Sequence, residues 1–235
     1  MEYNSLAVIS GASRGIGAAV ARKLAEQGMG VVLLARSKDA LENVAGYLQS
    51  EGLVAHPFAV DLSVSSELDA MVDFVKNIGV EVKLVVHSAG IARVGTVEEM
   101  SLADWRRVID VNLTAPFMFS QKMIPVMKTG SQFIFINSVA GKQSFPEWAA
   151  YSASKHGLKA LADTLRQEVA DRGIRVTTLY PTSVDTMLHN DLPYDWDRKK
   201  MLKPRDVADA VLYLMRQPAH ITINEMDMGN IAGTF

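Results

Sequence analysis

The sequence predicts an α/β protein, a single doubly wound domain in which a parallel sheet of seven strands is flanked by helices. Short apolar runs alternate with longer stretches of helical period, the pattern of successive βαβ units. A glycine-rich turn from Gly11 to Gly17 ends the first apolar run and opens a helical one. The 235 residues, 49% hydrophobic and 21% charged, suffice for one such sheet and its crossovers, with no linker between units.

The elements follow in order. Residues 6–10 are a first strand, and 16–27 a helix with Ile16, Val20 and Leu24 on one face and Gly28 as its stop. A strand at 31–35, a helix at 39–49 and a strand at 54–60 come next, then a helix at 67–77 that turns Leu68, Met71, Val72 and Val75 inward. Residues 83–87 form an apolar run fit for burial on both faces. Ser101 reads as the N-cap of a long helix, 102–127, bent near Pro116 and Pro125. A strand at 133–137, a helix at 148–170 and a strand at 174–179 complete the centre. Residues 181–203 lack periodicity and read as a substrate loop, after which Pro204 opens a helix to 216 and 221–228 form the last strand.

Composition removes several kinds of chemistry. With no cysteine there is neither a thiolate nucleophile nor a Cys-ligated metal, so redox chemistry requires a borrowed cofactor. A formal charge of −2 with scattered basic residues leaves no nucleic-acid footprint. The five histidines show no metal-ligand spacing, so no metal is expected. The start of the chain lacks a basic segment, and the apolar run after it is too short for a signal peptide or membrane span. A cytoplasmic protein without a membrane partner is the expectation.

Gly11, Ser13, Arg14, Gly15, Ile16 and Gly17 lie where a strand gives way to a helix, so backbone N–H groups and the helix dipole form an anion site suited to a pyrophosphate. The spacing is G-x-x-x-G-x-G, and by itself it is also compatible with a flexible turn. An acidic residue after the second strand would accept a ribose 2′-hydroxyl, but Arg36 stands there. With Arg14 it favours a 2′-phosphate, hence NADP(H) over NAD(H).

Tyr151 and Lys155 are spaced i and i+4 and share a helix face, Ser138 ends the fifth strand, and Asn112 interrupts an apolar helix. With the glycine loop, Asp61, Ala89-Gly90 and Pro181 in this order, the chain resembles the short-chain dehydrogenase/reductase family, with its Rossmann-type fold, over nearly its whole length. The resemblance implies catalytic roles for four residues. Tyr151 is the proton donor or acceptor, Ser138 polarises the substrate carbonyl, Lys155 holds the nicotinamide ribose and lowers the tyrosine pKa, and Asn112 anchors a proton-relaying water. It further implies cofactor contacts from Asp61 and Leu62 at the adenine, Ala89 and Gly90 along the ribose, and Pro181, Val184 and Thr186 toward the carboxamide. Association as a homodimer or homotetramer is also implied.

Three departures from the family pattern stand out, at four positions. Ser10 replaces a threonine, His87-Ser88 replaces a pair of asparagines, and Thr182 replaces a glycine beside the nicotinamide path. Apolar residues in the loops after the fourth, fifth and sixth strands, among them Ile91, Val94, Phe145, Pro146, Trp148, Met187, Leu188, Leu192, Tyr194 and Trp196, suggest a largely apolar carbonyl substrate. The expected activity is NADP(H)-dependent carbonyl reduction or alcohol oxidation. The alternative is a non-catalytic NADP(H)-binding sensor or scaffold on the same fold. A nucleotide-dependent epimerase would want a larger carboxyl-terminal substrate domain.

Overall fold

A computed structural model describes residues 3–231. Seven parallel strands lie in the order β3-β2-β1-β4-β5-β6-β7: β1 Leu6–Ser10, β2 Gly30–Ala35, β3 Ala55–Ala59, β4 Val82–His87, β5 Gln132–Ile136, β6 Arg175–Pro181 and β7 Glu225–Met228. The helices are α1 Gly15–Ala25, α2 Lys38–Ser50, α3 Ser65–Ile78, α4 Leu102–Ile109, α5 Ala115–Met123, α6 Ala149–Val169 and α7 Pro204–Met215. The expected fold class and strand count are therefore observed.

Alternation along the strands sends successive residues to opposite faces. Ala7, Ile9, Val31 and Leu33 pack with α1, α2 and α7, while Leu6, Val8, Val32 and Phe133 pack with α3, α5 and α6. Both faces are covered, which is why the central strands read as unbroken apolar runs. Chain direction across the sheet reverses between β1 and β4, and the crevice at their carboxyl ends is where such sheets bind ligands.

Two details differ from expectation. The long helix is disturbed before Pro116, by a π-helical turn at Asp110–Thr114 in which the Ala115 N–H reaches the Asp110 carbonyl. Proline brings no N–H to the carbonyl four residues back, and here the ladder adjusts one turn upstream. The last strand is also shorter than 221–228, beginning only at Glu225. Its Glu225 pairs with Lys142 at 3.0 Å and Lys159 at 2.8 Å, and Asp227 pairs with Lys142 at 2.8 Å. At the opposite edge, β3 carries Pro57 in its centre.

Candidate active site

The glycine loop is shaped by close approach. Gly11 has φ +67°, and a Cβ there would stand 2.8 Å from the Ala89 backbone; one on Gly17 would meet the Gly11 carbonyl oxygen at 2.4 Å. Ser10 Oγ ties the same loops together, accepting from the N–H groups of Ser88 at 3.0 Å and Ala89 at 3.2 Å and reaching the Val86 carbonyl at 3.3 Å. Serine thus braces the β1–β4 crevice with its hydroxyl alone. The first turn of α1 has neither a side-chain cap nor an acidic residue, so its N–H groups face the cleft ready for an anion.

That cleft encloses about 1720 Å³ including its open mouth, and Gly11, Ser13, Arg14, Gly15, Ile16, Gly17, Arg36, Asp61, Leu62, Ala89, Gly90, Tyr151, Lys155 and Thr186 all line it. Arg14 and Arg36 are exposed at its rim. The Asp61 carboxylate accepts from the Ser63 N–H at 2.9 Å and hydroxyl at 2.6 Å, which with nearby Arg36 holds its pKa below the usual range. The dimensions, the uncapped helix and the two guanidinium groups fit a dinucleotide phosphate.

A smaller cavity of about 750 Å³ opens beside it, lined by Ser138, Phe145, Trp148, Pro181, Val184, Leu188 and Trp196, among others. Tyr151 borders both spaces. Its phenol lies beside Ser138, whose Oγ accepts from the Ala140 N–H at 3.1 Å. Burial pushes the Tyr151 pKa up to about 12, with Ser138 opposing the rise. Lys155 Nζ donates to the Ile136 carbonyl at 3.1 Å and lies 5.6 Å from the Tyr151 ring centre; burial lowers its pKa to about 8.

Asn112 is buried behind these groups rather than on the lining of either space. Its Oδ1 accepts from the Ile91 N–H at 2.9 Å, and its Nδ2 donates to the Ile91 carbonyl at 2.9 Å and Ser154 Oγ at 3.1 Å. The side chain is therefore engaged in structure. Its backbone carbonyl, however, has Pro116 four residues on, with no N–H to offer.

His87 bonds to Ser120 through Nε2 at 3.1 Å and stacks on Phe135 with ring centres 4.3 Å apart. It is a packed core residue, and burial lowers its pKa to about 3. Of the expected substrate-lining residues, Phe145, Trp148, Leu188 and Trp196 face the smaller cavity. Ile91 and Met187 face the larger, Leu192 is buried, and Tyr194 stacks on Trp148 with centres 6.0 Å apart. Val94 and Pro146 line neither space. His189, Asn137 and Thr182 also line the smaller cavity, and sequence reading did not assign them to it. Only the place of Thr182 beside the proline carried a signal.

Among the described residues Glu147 is the one non-glycine with positive φ, at 68°. Its carbonyl accepts from the Gly95 N–H at 2.8 Å and its carboxylate from the Tyr194 hydroxyl at 2.7 Å. The strain is held by contacts on both sides, at the turn that delivers Trp148 to the cavity.

The family model for short chain dehydrogenase matches residues 5–195. An uncharacterized oxidoreductase of Staphylococcus saprophyticus is 34% identical, covering 95% of this chain and 96% of the relative. An alcohol dehydrogenase from the archaeon Thermococcus sibiricus, solved with 5-hydroxy-NADP, superposes with a TM-score of 0.90 at 30% identity, over 97% of each chain. A metagenomic short-chain oxidoreductase solved with NADP gives a TM-score of 0.83 at 32% identity, over 96% of each chain. With the fold, the crevice and these likenesses in agreement, the chain belongs to the short-chain dehydrogenase/reductase family of oxidoreductases.

Proposed function

We propose that this protein is an NADP(H)-dependent carbonyl reductase or alcohol dehydrogenase, with Tyr151 as the acid/base. The observation that carries the reading is the position of Tyr151 where the two spaces meet, in contact with Ser138 and one helical turn from Lys155. The larger cleft, with Gly11, Gly15, Gly17, Arg14, Arg36 and Lys155 on its lining, would hold the nicotinamide cofactor, which would supply the hydride chemistry. The chain's residues orient the substrate and manage the proton.

The Ser138 oxygen accepts from the Ala140 N–H, and its one proton, directed at Tyr151 without substrate, would turn to the carbonyl oxygen of a bound substrate. In reduction Tyr151 gives its phenolic proton to that oxygen, and in oxidation it takes the proton back. A buried phenol near pKa 12 is a poor base at neutral pH, and an ammonium 5.6 Å from its ring, that of Lys155, would work against that by favouring the phenolate. At about 8, the lysine pKa still leaves it mainly charged at pH 7. The Asn112 carbonyl, to which Pro116 four residues on offers no N–H, is the atom suited to hold a relaying water. Pro181, Val184 and Thr186 border the junction from the β6 side and support a carboxamide-positioning role.

Arg14 and Arg36 support the NADP(H) preference, and exposed Leu102, Trp105 and Phe117 on α4 and α5 support association between copies. The scaffold alternative drew on His87-Ser88 and Thr182. His87 packs against Phe135 and bonds to Ser120, and Ser10 braces the crevice, which supports the catalytic reading over that alternative, while Thr182 lines the smaller cavity. The test is NADPH consumption across ketones and aldehydes by the wild type and Tyr151→Phe. Turnover lost with NADPH affinity kept supports the reading; turnover retained overturns it.

A further inference from the structure

We infer that Asn137 is a positioning residue: its buried side-chain amide joins the backbone of Ser138 to that of Lys155 and thereby sets where the Lys155 ammonium stands against the Tyr151 phenol. This deepens the reductase reading and rests on it.

Asn137 is buried just past the end of β5, and the two ends of its amide go to different elements. Oδ1 accepts from the Ser138 N–H at 2.9 Å, while Nδ2 donates to the Lys155 carbonyl, in the second turn of α6, at 3.1 Å. The partners fix which way the amide faces, because an N–H calls for its oxygen and a carbonyl for its nitrogen. The backbone N–H of Asn137 donates to the Leu179 carbonyl at 2.8 Å, so the residue that makes the link is itself registered on β6.

Lys155 is consequently held at both ends by neighbours in the chain. The Ile136 carbonyl accepts from its Nζ at 3.1 Å, Asn137 holds its carbonyl, and Ser138 follows beside the phenol. Room for the amide comes from Gly141, in the turn Val139–Gly141: a Cβ there would stand 2.6 Å from Asn137 Oδ1 and 2.9 Å from the Lys155 carbonyl oxygen. Asn137 borders both spaces, as Tyr151 does, yet each polar atom of its side chain already has a backbone partner. It therefore acts through Lys155 and Ser138 and not on a substrate. The ammonium faces Tyr151, 5.6 Å from the ring centre, and a charge's effect on a neighbouring proton weakens with distance. Losing the amide loosens the second turn of α6 against β5 and lets the ammonium drift toward water.

The experiment compares the wild type with Asn137→Ala and with a control, Thr177→Val. The control removes another buried hydrogen-bonded group, the Thr177 hydroxyl that accepts from Gln132 at 2.9 Å, away from both spaces. Two readouts are taken at a temperature where each protein is folded by circular dichroism. One is the NMR titration of Lys155 in protein carrying isotope-labelled lysine, its signal assigned by its absence in Lys155→Met; it needs neither cofactor nor substrate. The other is the pH dependence of kcat for oxidation of secondary alcohols with NADP+. In Asn137→Ala the lysine midpoint is expected to rise by about half a pH unit or more toward the ordinary lysine value, and kcat to fall about tenfold with its rising limb displaced upward. Thr177→Val should lose stability to urea yet leave both pH readouts unmoved. Gly141→Ala, which crowds the same amide with Asn137 in place, should move both readouts as Asn137→Ala does, and it serves in its stead should Asn137→Ala not fold. Unmoved readouts in these variants, or equal movement in Thr177→Val, overturn the inference alone. A wild type that neither oxidises an alcohol nor reduces a ketone or aldehyde overturns the reductase reading, and the lysine titration by itself then upholds or overturns the placement of Lys155 by Asn137.

Discussion

Lys155 Nζ stands 5.6 Å from the centre of the Tyr151 ring while its hydrogen bond to the Ile136 carbonyl, 3.1 Å long, fixes it to the end of β5. Among the described residues no carboxylate pairs with this cation. In the proposed mechanism, replacing it with a neutral side chain removes the charge that favours the phenolate. Lys155→Met is expected to move the rising limb of alcohol oxidation upward by roughly one pH unit or more and to cut kcat/KM about 100-fold or further. A pH–rate profile that keeps its wild-type limb would remove the electrostatic role.

The two rim arginines should distinguish cofactors. Arg14→Ala and Arg36→Ala are each expected to weaken NADPH binding about tenfold while NADH binding changes little, because a 2′-phosphate is the group a guanidinium recognises. Fluorescence titration of both cofactors measures this, and equal losses for NADPH and NADH would count against the assignment.

Gly11 combines a left-handed backbone with a Cβ position 2.8 Å from another chain segment's backbone. Gly11→Ala is expected to destabilise the protein by about 2–4 kcal/mol, since neither the strain nor the overlap can be relieved by turning a side chain. Urea unfolding would reveal it, and an unchanged midpoint would show that the β1–β4 crevice yields more easily than its packing implies.

His87 ties stability to pH. Its pKa falls from the ordinary 6.5 to about 3 in the folded chain, so the unfolded chain binds the extra proton between these values. The contribution is present above about pH 6.5 and is lost progressively as pH falls toward 3. Between pH 7 and 5 it should cost about 2 kcal/mol, a loss that His87→Phe should lack. Urea unfolding at the two pH values compares them, and parallel losses in both proteins would refute the link.

The parts of this molecule governed by periodic burial could be read from its residues. Strands buried on both faces announce themselves as apolar runs, and α6 places Tyr151 and Lys155 on one face by spacing alone. The π-turn at Asp110–Thr114 was not readable, because Pro116 marks that the ladder must adjust but not on which side. His189 was equally hidden. It lies in an aperiodic loop whose path is set by the Asp185 carboxylate between Arg198 and Lys203, contacts that no local pattern encodes. Trp148 reaches the cavity through the left-handed Glu147, where nothing in the residue type suggests that conformation.

Pro57 and the acidic β7 bear on a different property, the colloidal behaviour of the folded chain. The Val60 N–H turns inward to the Ala35 carbonyl, so alternation turns the Pro57 nitrogen outward, where it offers no donor to an incoming strand. At the other border, a strand of four residues presents carboxylates already claimed by Lys142 and Lys159. Short length, charge and proline are the devices by which sheets resist edge-to-edge aggregation. With both borders closed in this way, the ribbon of strands ends at seven instead of templating fibres.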